Sequence, residues 1–165
     1  MRINTQQYHA ARRRPPAIQY TQAKVIDFGL LTLRIGFGLG MAVLHGAGKV
    51  AAAWAYFRHG VAWDLLPEVV LLGFPWPVVF ALAATAAEFG AGLLLACGLG
   101  TRWCAAALAF TMLMAARYHA LAGGLGEPAA AYGLVFLSLA IAGGGRYAAD
   151  AYRFRRRPAR SEPSR

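Results

Sequence analysis

The sequence has little charge outside its two ends. Residues 25–150 contain six basic and six acidic side chains and therefore carry no net charge. The excess of 17 Lys and Arg over 7 Asp and Glu, a formal charge of +10, belongs to residues 1–24 and 151–165. A neutral apolar body with basic ends is typical of a membrane protein. The predicted partner of these basic ends is therefore the lipid bilayer, and no nucleic acid is predicted.

Three other features are scarce. Residues 1–24 contain no apolar run, so no cleavable signal peptide is predicted, and prolines directly after Arg12–Arg14 disfavour a twin-arginine export signal. Polar and apolar residues do not alternate in the body, which disfavours β-strands. The two cysteines, Cys97 and Cys104, are separated by six residues, do not form a C-x-x-C pair and are predicted to be small apolar fillers.

Long intervals with few charges indicate where the chain crosses the membrane. Crossing about 30 Å of hydrocarbon takes roughly 20 mostly apolar residues. Four such spans are predicted, over residues 28–52, 78–98, 102–121 and 128–145. The predicted fold class is all-α, a four-transmembrane-helix bundle over residues 27–152 with basic tails at 1–26 and 153–165. Because short segments rich in Arg and Lys stay inside, the N- and C-termini are both predicted to be cytoplasmic.

Ionisable side chains within the spans are the candidates for a functional site, because such groups are costly in lipid and face the interior of a bundle. Arg34, His45 and Lys49 share one stripe of the first span. Glu88 lies in the middle of the second span, on a face of small residues that includes Thr85. Their depths predict an ion pair between Arg34 and Glu88, and both a structural role and a proton- or ligand-handling role are open to it.

A second polar cluster is predicted near the outer face. It contains His45 and Lys49 from the first span, His119 and Arg117 from the third, and Glu127 from the following loop or the start of the fourth span. Helical spacing favours an inward His119 and an Arg117 that extends to headgroups. Such a cluster can bind an oxyanion or a quinone carbonyl, and interfacial packing is the alternative. No helix carries paired ligands at helical spacing, so no metal site is predicted.

Six short motifs follow one another along the chain, at residues 33–35, 45–49, 88–95, 98–102, 115–119 and 143–150. In this order they resemble the DoxX family of small bacterial membrane proteins. The resemblance implies a multi-pass protein of the bacterial inner (plasma) membrane with a link to redox chemistry, since relatives are associated with thiosulfate:quinone oxidoreductase and with complexes that handle oxidative or thiol stress. The matching candidate residues are Arg34, His45, Lys49, Glu88 and His119.

Three functions are predicted as alternatives. The first is a membrane subunit of a quinone-linked oxidoreductase complex, with a bound quinone and no intrinsic cofactor, because the chain has no flavin, haem or iron–sulfur motif. The second is a non-catalytic membrane anchor or assembly subunit of a larger complex. The third is a small proton-coupled transporter in which Glu88 alternates between proton and substrate. The predicted partners are lipid and other membrane or membrane-associated proteins of a redox complex.

Overall fold

The computed structural model describes residues 17–155, with side chains over residues 21–152. Of the predicted basic tails, residues 1–16 and 156–165 lie outside this described part. All regular secondary structure within it is helical. The α-helices are α1 (Ala17–Gly40), α2 (Ala47–His59), α3 (Leu65–Leu71), α4 (Pro77–Ala86), α5 (Gly92–Cys97), α6 (Thr101–Leu121), α7 (Glu127–Ala142) and α8 (Ala149–Arg155).

Two π-helical segments join α-helices into two long continuous helices, called here the first and second rods, and α6 is the third rod. The first π segment, Met41–Gly46, joins α1 to α2, and the second, Ala87–Ala91, joins α4 to α5. Three helices are long and apolar enough to cross a membrane: Thr21–His59, Pro77–Cys97 and Thr101–Leu121. The protein is therefore an all-helical membrane protein. The second and third rods start and end within one residue of the predicted ranges 78–98 and 102–121.

The first and last predicted spans differ more from the observed helices. The first rod begins before residue 28 and continues past residue 52 to His59. The last helix, α7, has 16 residues and ends at Ala142, before the predicted end at 145. It ends there because Gly143 has φ 82° and ψ −174°, a backbone conformation that leaves the helix and that suits glycine.

Two apolar clusters hold the rods together. The larger one contains residues from all four long elements, including Met41, Leu95, Leu108 and Phe136. A smaller one lies beneath α3, where the buried Trp63 and Val69 pack with Ala53 and Ala81. Outside these clusters, large apolar side chains are exposed on every long helix, as with Leu44 at 74% and Ile141 at 72%. A helix that is apolar on its outer side fits lipid contact.

The first two rods approach each other through glycines. A Cβ on Gly38 would lie 2.8 Å from the carbonyl oxygen of Gly92, and a Cβ on Gly46 would lie 2.6 Å from the backbone nitrogen of Phe89. Side chains larger than hydrogen would force the two backbones apart at both points. The small-residue faces predicted for these spans therefore meet, and Gly46 of the first π segment packs directly on the second π segment.

The start of α1, the turn between α5 and α6, and residues 143–150 meet at one end of the bundle, called here the terminal end. Asp150 accepts hydrogen bonds from the backbone nitrogens of Gly100 (2.9 Å) and Thr101 (2.8 Å) at the start of α6. Asp27 accepts one from the Arg146 backbone nitrogen at 2.9 Å. These carboxylates satisfy amides that a helix start or loop leaves unpaired. The opposite end, with α3 and the α6–α7 loop, is called the distal end.

Candidate functional site

Lys49 and Glu88 form an ion pair between the first and second rods. Nζ of Lys49 donates a hydrogen bond to Oε1 of Glu88. The Glu88 side chain is 1% exposed and that of Lys49 is 32% exposed, so the pair has one fully buried partner and one that reaches a cavity. Oε2 of Glu88 is buried and has no hydrogen-bond partner within the described residues.

The first π segment turns Gly46, and not His45, toward the second rod. In an uninterrupted helix, the buried face at Gly38 and Met41 would continue at His45. A π turn holds one residue more, and one residue corresponds to a rotation of about 100°. Met41, Ala42 and Gly46 of this segment are buried, while His45 is exposed. Lys49, three positions beyond Gly46, follows the shifted face and reaches Glu88.

The predicted ion pair between Arg34 and Glu88 is wrong. The guanidinium of Arg34 is at the terminal end, where NH1 donates to the Gly144 carbonyl at 2.9 Å and NH2 to the Tyr147 carbonyl at 3.1 Å. The antiparallel register explains the difference, because Gly46 is opposite Glu88 whereas Arg34 is opposite Gly98. Ten residues of the second rod separate these two levels, which is about 15 Å along a helix.

A cavity of about 240 Å³ adjoins the Lys49–Glu88 pair. It lies between the α4 rod and α6, with α3 across its distal end, and most of its lining is apolar. The polar side chains in its wall belong to Lys49, Glu68, Glu88, Thr111 and Tyr118. The other lining residues are Leu65, Val69, Leu72, Phe74, Phe80, Ala83, Ala84, Ala87, Ala107, Phe110, Met114 and Ala115.

The rim of this cavity reaches the lateral surface of the bundle. Ala107 and Phe110 line the cavity, and both are exposed on α6, Phe110 at 53%. A molecule dissolved in the membrane can therefore enter sideways between α4 and α6. An apolar wall with a few convergent polar groups is the usual composition of a small-molecule site.

Sequence reasoning did not include Glu68 or Tyr118 in the site. Glu68 belongs to α3, in a part of the chain that was predicted only to connect the first two spans. The sequence signal that could have identified it is a single carboxylate within an apolar run, and the structure partly buries this side chain. Burial raises the pKa of the Glu68 carboxyl above its ordinary value. Lys49 and His119 act in the opposite direction, while Glu88 and Asp64 raise this pKa further.

The other predicted site residues lie away from the cavity. His45 is exposed and contacts the Tyr132 ring edge-on, with the ring centroids 5.8 Å apart. His119 is exposed, contrary to the inward orientation predicted for it, and it is Tyr118 that faces the cavity. Arg117 is exposed, as predicted. Glu127 is also exposed, at the start of α7.

Thr85 is buried one helical turn before Glu88. Its hydroxyl donates to the carbonyl oxygen of Ala81 at 2.8 Å, so its proton is already used within the helix. Thr85 therefore packs beside the site without offering its donor to a ligand. Among residues 21–152, no three His, Cys, Asp or Glu side chains are grouped closely enough to hold a metal ion.

A second groove, about 480 Å³ in volume, runs between α6 and α7. Its lining, which includes Ala106, Leu113, Gly133 and Leu137, contains only apolar side chains and glycine. Although it is larger, it has no side chain that could orient a polar headgroup. The cavity beside Lys49 and Glu88 is therefore the candidate site.

Comparison with known proteins places part of the chain in a described family. The family model described as DoxX matches residues 29–122, which include the first π segment and the residues of the candidate site. Comparison with curated proteins and with solved structures gave no match.

Proposed function

The chain belongs to the DoxX family, and from this premise we propose that it is a membrane subunit of a quinone-linked oxidoreductase complex. In this proposal the cavity beside Lys49 and Glu88 binds the quinone headgroup. The observation that carries the proposal is a buried ion pair with an unpaired carboxylate oxygen, in the wall of an apolar cavity whose rim is on the lipid-facing surface.

The size and chemistry of the cavity support this choice of ligand. At about 240 Å³ it is smaller than the roughly 300–1,000 Å³ typical of sites for drug-sized ligands. It suits a single ring headgroup whose apolar tail remains in the bilayer. The Lys49 ammonium, which is partly exposed in the cavity wall, can donate to a quinone carbonyl. A bound quinone supplies two-electron chemistry, and its electrons come from a partner or from a soluble donor.

The charge of the site favours a quinone over an anion. Two carboxylates, Glu68 and Glu88, accompany one cation, Lys49, in the cavity wall. The wall therefore has no excess of positive charge that would attract an oxyanion such as thiosulfate. The oxyanion pocket predicted from two histidines and a lysine is therefore not the function that we propose. In the proposed complex an anionic donor is oxidised on a partner subunit.

We propose further that the protein crosses the bacterial inner membrane four times, with both termini in the cytoplasm. Within the described residues, the first rod contacts the segment after α7 at the terminal end. An even number of crossings requires the two ends of the chain to lie on the same side. The basic residues at 1–24 and 151–165 then lie on the cytoplasmic side. The 16 residues of α7 extend about 24 Å, a shortfall that local thinning of the bilayer accommodates.

Two neighbouring alanines provide a test of the binding site. Ala107 lines the candidate cavity and Ala106 lines the groove between α6 and α7, and both are exposed. Ala107→Phe fills the cavity, so the affinity for decylubiquinone should fall about tenfold or more, which corresponds to at least about 1.4 kcal/mol. Ala106→Phe should leave the affinity unchanged. Equilibrium binding to the full chain in lipid nanodiscs measures both, and equal affinities for the two variants would refute this assignment of the cavity.

A further inference from the structure

Two protons have to reach a quinone that is reduced in the proposed site. A quinone takes up two electrons and two protons to become a quinol. Two thiosulfate anions that couple through a sulfur–sulfur bond release two electrons and no proton. With such a donor, both protons come from water, and the reduction requires a side chain that connects the apolar cavity to an aqueous phase.

Glu68 is the carboxylate at the aqueous side of the cavity. Glu88 is 1% exposed in the wall between the rods, whereas Glu68 is partly exposed on α3, which covers the distal end. Both line the same cavity, together with Lys49. A proton that enters at Glu68 therefore reaches the headgroup without crossing the apolar wall formed by α4 and α6.

We propose, on the basis of the proposed function, that Glu68 is the proton-exchange residue that supplies protons from the distal aqueous side to the bound quinone. The two electrons come from the sulfur donor of the complex, and each proton taken by the quinone oxygens is replaced on Glu68 from water. Lys49, hydrogen-bonded to Glu88, holds the headgroup between these two carboxylates. This assigns to α3 a role in the reaction as well as in covering the cavity.

The surroundings of Glu68 suit this role. The charged and titratable groups around it are Lys49 from α2, Glu88 from the second π segment, His119 and Tyr118 from α6, and Asp64 before α3. Burial and the two acids hold its pKa above that of an exposed carboxyl, so it keeps its proton to a higher pH. A general acid is most effective when its pKa is close to the working pH.

The test measures proton-coupled reduction of decylubiquinone bound to the full chain in a lipid film on an electrode, which replaces the sulfur donor. In the wild type the rate should fall as the pH rises through the pKa of Glu68, because the protonated acid is the donor. Glu68→Gln should reduce the rate about tenfold or more and flatten this pH profile while quinone affinity is retained. Glu68→Asp keeps a titrating carboxyl and should keep the pH profile.

The matched control is Glu127→Gln, which removes an exposed carboxylate at the start of α7, away from the cavity, and should behave like the wild type. An unchanged rate and pH profile in Glu68→Gln, with quinone still bound, would overturn the role of Glu68 and leave the quinone site standing. Absence of quinone binding to the wild type would instead overturn the proposed function itself.

Discussion

Lys49→Met is expected to destabilise the folded protein by about 3–5 kcal/mol, the range measured when one partner of a buried ion pair is removed. The physical reason is that Glu88 is 1% exposed and loses its hydrogen-bond donor, with its second oxygen already unpaired within the described residues. Glu88→Gln should cost less, because Lys49 is 32% exposed and its flexible ammonium can turn toward the cavity and Glu68. Lys49→Met should therefore destabilise the protein more than Glu88→Gln.

The double variant Lys49→Met, Glu88→Met provides the control. Since an apolar pair of similar volume removes the unpaired charge, it should recover most of the stability lost in Lys49→Met. Unfolding of Lys49→Met, Glu88→Gln, Glu88→Met, the double variant and the wild type in mixed micelles with increasing denaturing detergent measures these differences. If the loss of unfolding free energy in the double variant equals the sum of the losses in its two single variants, the two side chains do not interact in the folded protein.

Arg34→Met should destabilise the terminal end by about 3 kcal/mol, because it removes two part-buried hydrogen bonds from a charged donor, at roughly 1.5–3 kcal/mol each. The acceptor carbonyls belong to Gly144 and Tyr147, and Arg34 itself is 1% exposed. The chain after α7 is then held less tightly against the first rod, where Asp27 still accepts a hydrogen bond from the Arg146 backbone nitrogen. Quinone binding should change little, since the guanidinium is about 15 Å along the helix from the level of Glu88.

A local measurement separates this effect from general unfolding. Arg146 lies in the segment that Arg34 holds, so trypsin should cleave after Arg146 faster in Arg34→Met than in the wild type. The control is Arg102→Met, because Arg102 is an exposed arginine beside Gly143 at the same end of the bundle. Equal cleavage at Arg146 in the two variants would contradict the role assigned to Arg34.

Helix periodicity and composition predicted much of the fold but not the pairing of charges. The inward position of Glu88 follows from spacing along a regular helix, and the structure agrees with it. The partner of Glu88 depends on the register between two rods and on an extra residue in a π turn. Neither quantity is encoded in the spacing of one helix, so the predicted partner was Arg34 and not Lys49.

The predicted site residues also differ from the observed ones for a second reason, which the lining of the cavity shows. His45 and His119 were chosen because of their residue type and depth, but each lies on the exposed side of its helix. Glu68 entered the site because α3 folds back over the distal end, which is a tertiary contact of a short helix. Short helices have weak periodic signals, and the chain around Pro67 therefore appeared to be only a connection.

The quinone site is the central claim, and photoaffinity labelling of the full chain in native lipids tests it most directly. A photoreactive quinone analogue with its reactive group on the ring should label peptides from residues 65–72 and 107–118, which line the cavity. An excess of decylubiquinone should prevent this labelling, and Ala107→Phe should abolish it. Labelling confined to residues 130–140 of the α6–α7 groove, or labelling that decylubiquinone does not reduce, would contradict a quinone site beside Lys49 and Glu88.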